Sequence, residues 1–363
     1  MTELPLHEFH RRLSAGFAEV NGREVADSYG EVLAEHMALR KTVGVLDLSF
    51  RGRLSLAGAD RHRFLNGQVT NNVKDLKVGE GCYAALVTAK GKMVSDLNIY
   101  CLPDELLLDF EPGLSGAVAQ RFEKYIIADD VQVVDAAPHY GLLSVQGPKS
   151  AEVVNQLGLG LALSEKPFCF TSVNDPTLGE VYCVCQPRGV ATGFDVYVPV
   201  GALAAVADKL IAAAKSSGGR PCGWQALEMA RIEAGIPRFG ADMDETNLAP
   251  ETGIEERAIS YSKGCYIGQE IIARLRTYGQ VTKSLRGLLL ADELPALPKR
   301  GEELHHGDKE AGYITSALAS PTFLRNIALG YVRRECNEAG TELRVRIAER
   351  DYAASIVPLP FQF

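Results

Sequence analysis

The stretch Lys263-Gly264-Cys265-Tyr266-Ile267-Gly268-Gln269-Glu270 concentrates more potential chemistry than any other part of the chain. Two glycines four residues apart let the backbone approach another group closely. Gln269-Glu270 then predicts the start of a helix supported by a Glu270–Arg274 pair. A cysteine just ahead of a helix and two residues from a lysine favours thiolate over thiol. Cys265 is therefore a candidate nucleophile or redox group; the alternative is a tight turn around a buried, inert cysteine. Glu233 is the second candidate. It falls near the end of a helix expected over 222–234 and closed by Gly235 and Pro237. A carboxylate there meets the negative end of the helix dipole, at a cost of about 0.3 kcal/mol or more, so another group must offset it. That group is either a ligand with paired donors or Arg231 or Arg238. Asp96 is the third. On a strand expected over 93–102, period 2 puts Asp96, Asn98 and Tyr100 on one face, where a carboxylate either orients or accepts a proton or is simply solvated. Trp224, the only tryptophan, offers a flat face for a heterocycle or an anchor for the core.

Other clusters read as surface or core. The spacing Asp242-x-Asp244 lacks the glycine and distal ligands of a calcium loop. His305-His306 is expected in a glycine-flanked loop, with side chains pointing apart. Cys183 and Cys185, two apart in an apolar run, share one strand face as core. No metal site is expected. The basic group Lys263, Arg274, Arg276, Lys283 and Arg286 follows the acidic run Asp242–Glu256, and for most of these an ordinary charged surface suffices.

These residues must be positioned by a chain of 363 residues, enough for two or three structural units. Net charge is −8 (38 Lys and Arg against 46 Asp and Glu), which argues against nucleic-acid binding through phosphate neutralisation. No apolar run is long enough to cross a membrane, the N-terminus predicts no secretory signal, and eight dispersed cysteines without a CxxC pair fit a reducing cytoplasm. Helices are expected over 6–20, 31–41, 61–66 (capped by Asp60), 115–125 and 201–216. Strands are expected over 51–56, 82–88, 93–102 and 131–134, the middle two forming a hairpin through Ala89-Lys90-Gly91-Lys92. One internal echo stands out: Leu54-Ser55-Leu56-Ala57-Gly58 with Asn66 parallels Leu143-Ser144-Val145-Gln146-Gly147 with Asn155, at a constant offset of 89. A duplicated α+β unit of strand, glycine turn and helix would explain it. From about residue 285 the texture changes to short strands over 285–290, 312–318, 327–332, 342–347 and 353–357, separated by Pro and Gly. This predicts a C-terminal all-β domain over 281–363 after a 1–280 region of about two lobes.

The segment around Cys265 resembles the K-G-C-Y-x-G-Q-E signature of the YgfZ family of folate-binding proteins. The resemblance extends over Gly58-Ala59-Asp60, Phe64–Thr70, Lys90-Gly91-Lys92-Met93 and Arg231-Ile232-Glu233-Ala234-Gly235-Ile236-Pro237. Thr315-Ser316, Ser320-Pro321-Thr322 and Ala328–Val332 are similar to the C-terminal domain of the related glycine-cleavage T-protein, an aminomethyltransferase. The resemblance implies an α+β, T-protein-like, multi-lobed fold that binds tetrahydrofolate and ends in a β-barrel. It implies a pterin-ligand role for Glu233, whose carboxylate would accept the adjacent amino and ring N–H groups. It places Asp96 near the nitrogens that exchange a one-carbon unit, although T-proteins carry Asp-Asp-Leu where this chain has Ser95-Asp96-Leu97. It puts Trp224, Lys263 and Tyr266 at the folate and makes Cys265 a functional thiol. Two functions follow as expectations: support of iron–sulfur client proteins in the YgfZ manner, or aminomethyl transfer from a lipoyl carrier protein to tetrahydrofolate.

Overall fold

The computed structural model describes residues 1–277 and 279–362. The chain opens with a short helix, α1 (His7–Arg12), and a hairpin, β1 (Gly16–Val20) and β2 (Arg23–Ser28). A single helix over 6–20 was the expectation; its second half is a strand instead. The reason is Asn21-Gly22, both at positive φ (49° and 79°), the two-residue turn whose twist matches antiparallel strands. Next come α2 (Val32–Lys41) and β3 (Gly44–Asp47).

Two successive blocks then build two sheets on one plan. The first block is β4 (Gly52–Ala57), α3 (Arg61–Gln68), β5 (Gly81–Val87), β6 (Met93–Cys101), β7 (Glu105–Phe110), α4 (Ser115–Glu123) and β8 (Gln132–Asp135). The second is β9 (Tyr140–Gln146), α5 (Ser150–Asn155), β10 (Phe170–Asp175), β11 (Gly179–Cys185), β12 (Gly193–Pro199) and α6 (Val200–Ser216). It leads into β13 (Arg220–Pro221) and α7 (Trp224–Glu233). The sheet orders are β5-β6-β7-β4-β8 and β10-β11-β12-β9-β3-β13, so each strand of the first has a counterpart in the second. The echo at offset 89 marks the equivalent strands: Gly52, first in β4, and Gly141, second in β9, stand opposite Phe110 and Val198. Gly58 and Gly147 end them at φ +107° and +122°. The expected Asp60 cap is not formed: its carboxylate accepts from the Asp130 N–H and from Arg63 instead.

The six-stranded sheet buries one face, with Val181, Cys183, Cys185, Phe194, Val196 and Val198, against α5 and α6. Its other face meets the five-stranded sheet across an apolar layer that includes Tyr100, Leu107, Leu142, Tyr182, Val184 and Tyr197. Alternation along β11 assigns odd residues to one side and even residues to the other, as period 2 requires. Chain contacts group Met1–Ala84 and Asp96–Ala230 as one compact unit, and Ala85–Ser95 with the chain from Arg231 onward as a second.

The second unit contains α8 (Glu255–Ala258), α9 (Gln269–Thr277) and six strands: β14 (Lys283–Leu290), β15 (Glu303–His306), β16 (Lys309–Ser320), β17 (Arg325–Arg333), β18 (Glu342–Ile347) and β19 (Arg350–Val357). They close into a barrel in the order β14-β17-β16-β15-β18-β19. Five of the six match expectation. The sixth, β15, contains His305-His306, so the pair lies in a strand and not in a loop; a bulge at Leu304/His305 disturbs its alternation, and His305 is buried while His306 is exposed.

The echo glycines are testable. A Cβ on Gly58 would lie 2.1 Å from the Asp130 carbonyl oxygen, and one on Gly147 would lie 2.7 Å from that of Thr42. Both obstacles are backbone. Gly58→Ala and Gly147→Ala should each lose at least about 1–3 kcal/mol of stability in denaturant titration, from positive φ alone. A neutral result at either would show that the turn relaxes.

Candidate functional site

The layer between the two sheets is apolar at one end and charged at the other. Asp109 on β7 and Asp195 on β12 are both fully buried, and a buried carboxylate needs partners. Arg188, on the loop between β11 and β12, bridges them: it donates to both Asp195 oxygens through Nε, 3.1 and 2.9 Å away, and to Asp109 Oδ2 at 3.1 Å. Arg51, just ahead of β4, donates to Asp109 Oδ1 at 2.8 Å and to Glu111. Asn98 on β6 donates to Asp109 at 2.8 Å, Ser144 on β9 to Asp195 at 2.7 Å, and Gln146 to Ser144 at 2.8 Å. Burial by itself would drive the Asp109 carboxyl upward, but Arg51 and Arg188 outweigh it and hold the group at about 2.

Asp96 stands on the same β6 face as Asn98 and Tyr100, as alternation predicts. Its carboxyl is enclosed, although the residue as a whole is half-buried. Tyr83 on β5 donates its hydroxyl to Asp96 Oδ2 at 2.8 Å. Burial, reinforced by the Glu111 carboxylate, raises the Asp96 carboxyl to about 6; Tyr83 and Arg51 pull the other way without cancelling this. Two carboxyls on neighbouring strands are thus set apart, Asp109 locked as an anion and Asp96 able to gain or lose a proton near neutrality. Such separation is what acid–base work needs. Trp224, in the same unit, packs edge-on against Phe50, with ring centroids 5.4 Å apart, at the margin of the apolar layer.

The remaining sequence candidates lie in the second unit. Glu233 is 2% exposed, and both its oxygens are engaged by the turn between β16 and β17. The Ser320 hydroxyl and the Thr322 N–H donate to Oε1, and the Thr322 hydroxyl donates to Oε2 at 2.7 Å. This is the offset that a carboxylate at a helix end requires. A carboxylate has about four acceptor positions, so the two-donor pterin contact expected of Glu233 requires Ser320 or Thr322 to let go. Two residues earlier, Arg231 pairs with the buried Asp242 and donates to Ser316 at 3.0 Å; Thr315 and Ser316 both donate to Asp242. Asp242, read from sequence as surface, is 1% exposed.

Around Cys265 the expected turn and helix form, with α9 starting at Gln269. Gly268, at φ +87°, leaves room for no side chain: a Cβ would lie 2.5 Å from the Thr88 carbonyl oxygen. A Cβ on Gly91, at the tip of the β5–β6 hairpin, would in turn meet Ile271 at 3.2 Å. The glycines thus let α9 seat on the hairpin tip. Lys263 is buried, with Nζ 5.1 Å from the centroid of the Tyr266 ring. Burial pushes the Tyr266 hydroxyl up to about 12. Cys265 is exposed, which corrects the buried-cysteine alternative, and three residues separate it from the first helical residue.

Sequence reasoning missed Arg51, Asp109, Glu111, Arg188 and Asp195. The available signal was a single acid inside an otherwise apolar strand, as in Glu105-Leu106-Leu107-Leu108-Asp109-Phe110 and Gly193-Phe194-Asp195-Val196-Tyr197. Such a residue cannot be buried without a cation supplied from elsewhere.

Comparison with known proteins places the fold. Residues 6–263 match the GCVT N-terminal domain and residues 283–362 the glycine cleavage T-protein C-terminal barrel domain. The chain is 30% identical to an aminomethyltransferase of Symbiobacterium thermophilum, over 98% of this chain and 96% of that one. It is 30% identical to an aminomethyltransferase of Rubrobacter xylanophilus, over 98% and 93%. The solved glycine cleavage system aminomethyltransferase T from Bartonella henselae superposes with a TM-score of 0.88 over 99% of this chain and 98% of that one, at 24% identity. The chain belongs to the glycine-cleavage T-protein family, and its fold is aminomethyltransferase-like, α+β with a C-terminal six-stranded barrel.

Two variants probe the site. Because the Asp96 carboxyl lies above its unfolded value, folding is unpenalised below about pH 4 and loses stability as pH rises through 6. Asp96→Asn should therefore be more stable than the parent at about pH 8, by up to roughly 3 kcal/mol less the altered Tyr83 bond, and the gain should vanish near pH 4. A pH-independent difference in urea midpoints would contradict the assignment. Glu233→Gln should lose about 1–3 kcal/mol, because three donors no longer meet an anion; an unchanged thermal midpoint would release Glu233 from its role in holding the β16–β17 turn.

Proposed function

We propose that this protein binds tetrahydrofolate and moves a one-carbon unit to it from a lipoyl carrier protein, as an aminomethyltransferase that releases ammonia. The observation that carries the proposal is Asp96: an enclosed carboxyl, raised toward neutrality and oriented by Tyr83, on a chain 30% identical over nearly its full length to proteins named aminomethyltransferase. Bound tetrahydrofolate supplies the nitrogens that accept the one-carbon unit. The residues of each unit fit that chemistry: in the first, Asp96 can hold or take a proton and Trp224 offers a flat ring edge; in the second, Lys263 and Tyr266 offer a cation and an aromatic face. Glu233 accepts from a pterin only with the rearrangement described above. Ser95 in place of a second aspartate leaves Asp96 as the single carboxyl of this segment, so the whole proton-transfer burden falls on it.

A second reading is supported by a different observation. Of eight free cysteines, Cys265 is exposed and the others are buried or half-buried, and it sits in the segment that resembles the YgfZ signature. In that reading the protein binds the same folate without turnover and supports iron–sulfur client proteins through the Cys265 thiol. Eight free thiols fit a reducing cytoplasm in either case.

One experiment separates the readings. Ammonia release from aminomethyl-lipoyl carrier protein is measured with tetrahydrofolate present, while folate binding is followed separately through Trp224 fluorescence. Turnover that falls by about 10²–10⁴-fold in Asp96→Asn supports aminomethyl transfer. Folate binding without ammonia, together with failure of Cys265→Ser to sustain iron–sulfur enzymes in cells, replaces it with the second reading. No folate binding sinks both.

A further inference from the structure

The cysteines other than Cys265 are not all isolated. Cys185 ends β11 and Cys169 immediately precedes β10, the edge strand of the six-stranded sheet. The β10–β11 register runs from Asp175↔Gly179 to Phe170↔Val184, so the next pair along is Cys169 with Cys185. The backbone confirms this: the Cys185 N–H donates to the Cys169 carbonyl at 2.9 Å. The Phe168 N–H donates to the Cys185 carbonyl at 2.8 Å, and Phe168 has φ +65°. One residue opposite two, the first left-handed, is a β-bulge of the G1 type, occupied here by phenylalanine where glycine is usual. Alternation puts Cys169 on the face of Thr171, which is opposite Cys183, and therefore on the face of Cys183 and Cys185. The two thiols leave adjacent strands on the same side.

We propose that Cys169 and Cys185 form a reversible disulfide, a modification site separate from Cys265 and independent of the folate reading. Neighbouring antiparallel strands run about 4.7–4.9 Å apart, inside the roughly 4.4–6.8 Å range of Cα separations in disulfides. Access is asymmetric. Cys169 is half-buried at the sheet edge, next to the exposed Glu165-Lys166-Pro167, whereas Cys185 is 6% exposed. The reaction is exchange with a low-molecular-weight disulfide. The Cys169 thiolate attacks one sulfur of the reagent, whose other sulfur leaves as a thiol after taking a proton. The Cys185 thiol then gives up its proton and attacks the Cys169 sulfur of the mixed disulfide, expelling the second small thiol. Two protein thiols become one disulfide, and one reagent disulfide becomes two thiols. The more open Cys169 meets the reagent first, and Cys185, whose thiol burial pushes upward, acts second.

The bridge has a place to act. Three residues beyond Cys185 is Arg188, which spans Asp195 and Asp109, and Gln186 donates to Asn98. Covalent closure at Cys185 pins the strand end from which the charged cluster is reached.

The test is incubation of the folded protein with oxidised glutathione, an alkylation quench, and peptide mapping without reduction. The expected result is one internal cross-link joining the peptides that contain Cys169 and Cys185, a mass loss of two hydrogens, and reversal by dithiothreitol. In Cys185→Ser a glutathione adduct should accumulate on Cys169; in Cys169→Ser, Cys185 should stay unmodified. Both are near-isosteric changes, and circular dichroism establishes that each variant is folded. Glutathione confined to Cys265, or equal modification of Cys185 in the Cys169→Ser variant, overturns the proposal.

Discussion

Two arginines hold three carboxylates in the layer between the two sheets, and the first unit depends on that arrangement. Arg51 comes from just ahead of β4, Asp109 from the end of β7 and Glu111 from just beyond it, Asp195 from β12 and Arg188 from the loop that precedes it. Removing water from such charges costs several kcal/mol each, and only complete pairing compensates. Apolar surface alone tolerates sliding of one sheet on the other; a bridging guanidinium does not. Breaking one such buried pair typically costs about 3–5 kcal/mol, so the register of β7 against β12 is specified far more tightly at the cluster than across the purely apolar part of the layer. Burial sets the raised proton affinity of Asp96, and the same cluster adjusts it in both directions, Glu111 upward and Arg51 downward.

The second unit uses a comparable device at another place. In β16 the register slips between Ile314 and Ser316, which allows neighbouring hydroxyls of Thr315 and Ser316 to reach the same Asp242 oxygen. An uninterrupted strand would send them to opposite faces. The bulge converts a barrel strand into a two-hydroxyl clamp on the acid that also receives Arg231. Two residues later in α7, Glu233 does the same with the β16–β17 turn. A helix end rich in charge is thereby tied to the barrel at both of its last acidic or basic positions.

Much of the fold was legible because the signals were local. Gly58 and Gly147 were readable as a repeat, since each sits where strand gives way to helix and positive φ is needed. The failures were of two kinds. Asn21-Gly22 is a strong turn signal overridden by an apparent helical spacing in Leu6–Val20; two short elements of different period can imitate one longer one. His305 failed because β15 is four residues long and carries a bulge, leaving little alternation to detect. The strand face of Asp96 and the turn that carries Cys265 were visible from alternation and motif. Asp109, Asp195 and Arg188 were not, because pairing between residues 79 positions apart is set by how two sheets stack, and one strand's pattern does not encode that.

The division of the chain carries a consequence for synthesis. Residues 85–95 belong with the segment that begins at Arg231, although they are made long before it. As the chain leaves the ribosome, the first unit has all of its own residues once Ala230 has emerged, yet it must carry the β5–β6 hairpin tip, with Gly91 and Lys92, without the α9 and Asn247–Leu248 backbone that later receive it. Domains made N-terminal first usually fold as closed units; here a short excursion waits for the end of translation. A nick or fusion placed at residue 230 would therefore not divide the protein into its two compact parts, because it leaves an eleven-residue piece of the second attached to the first.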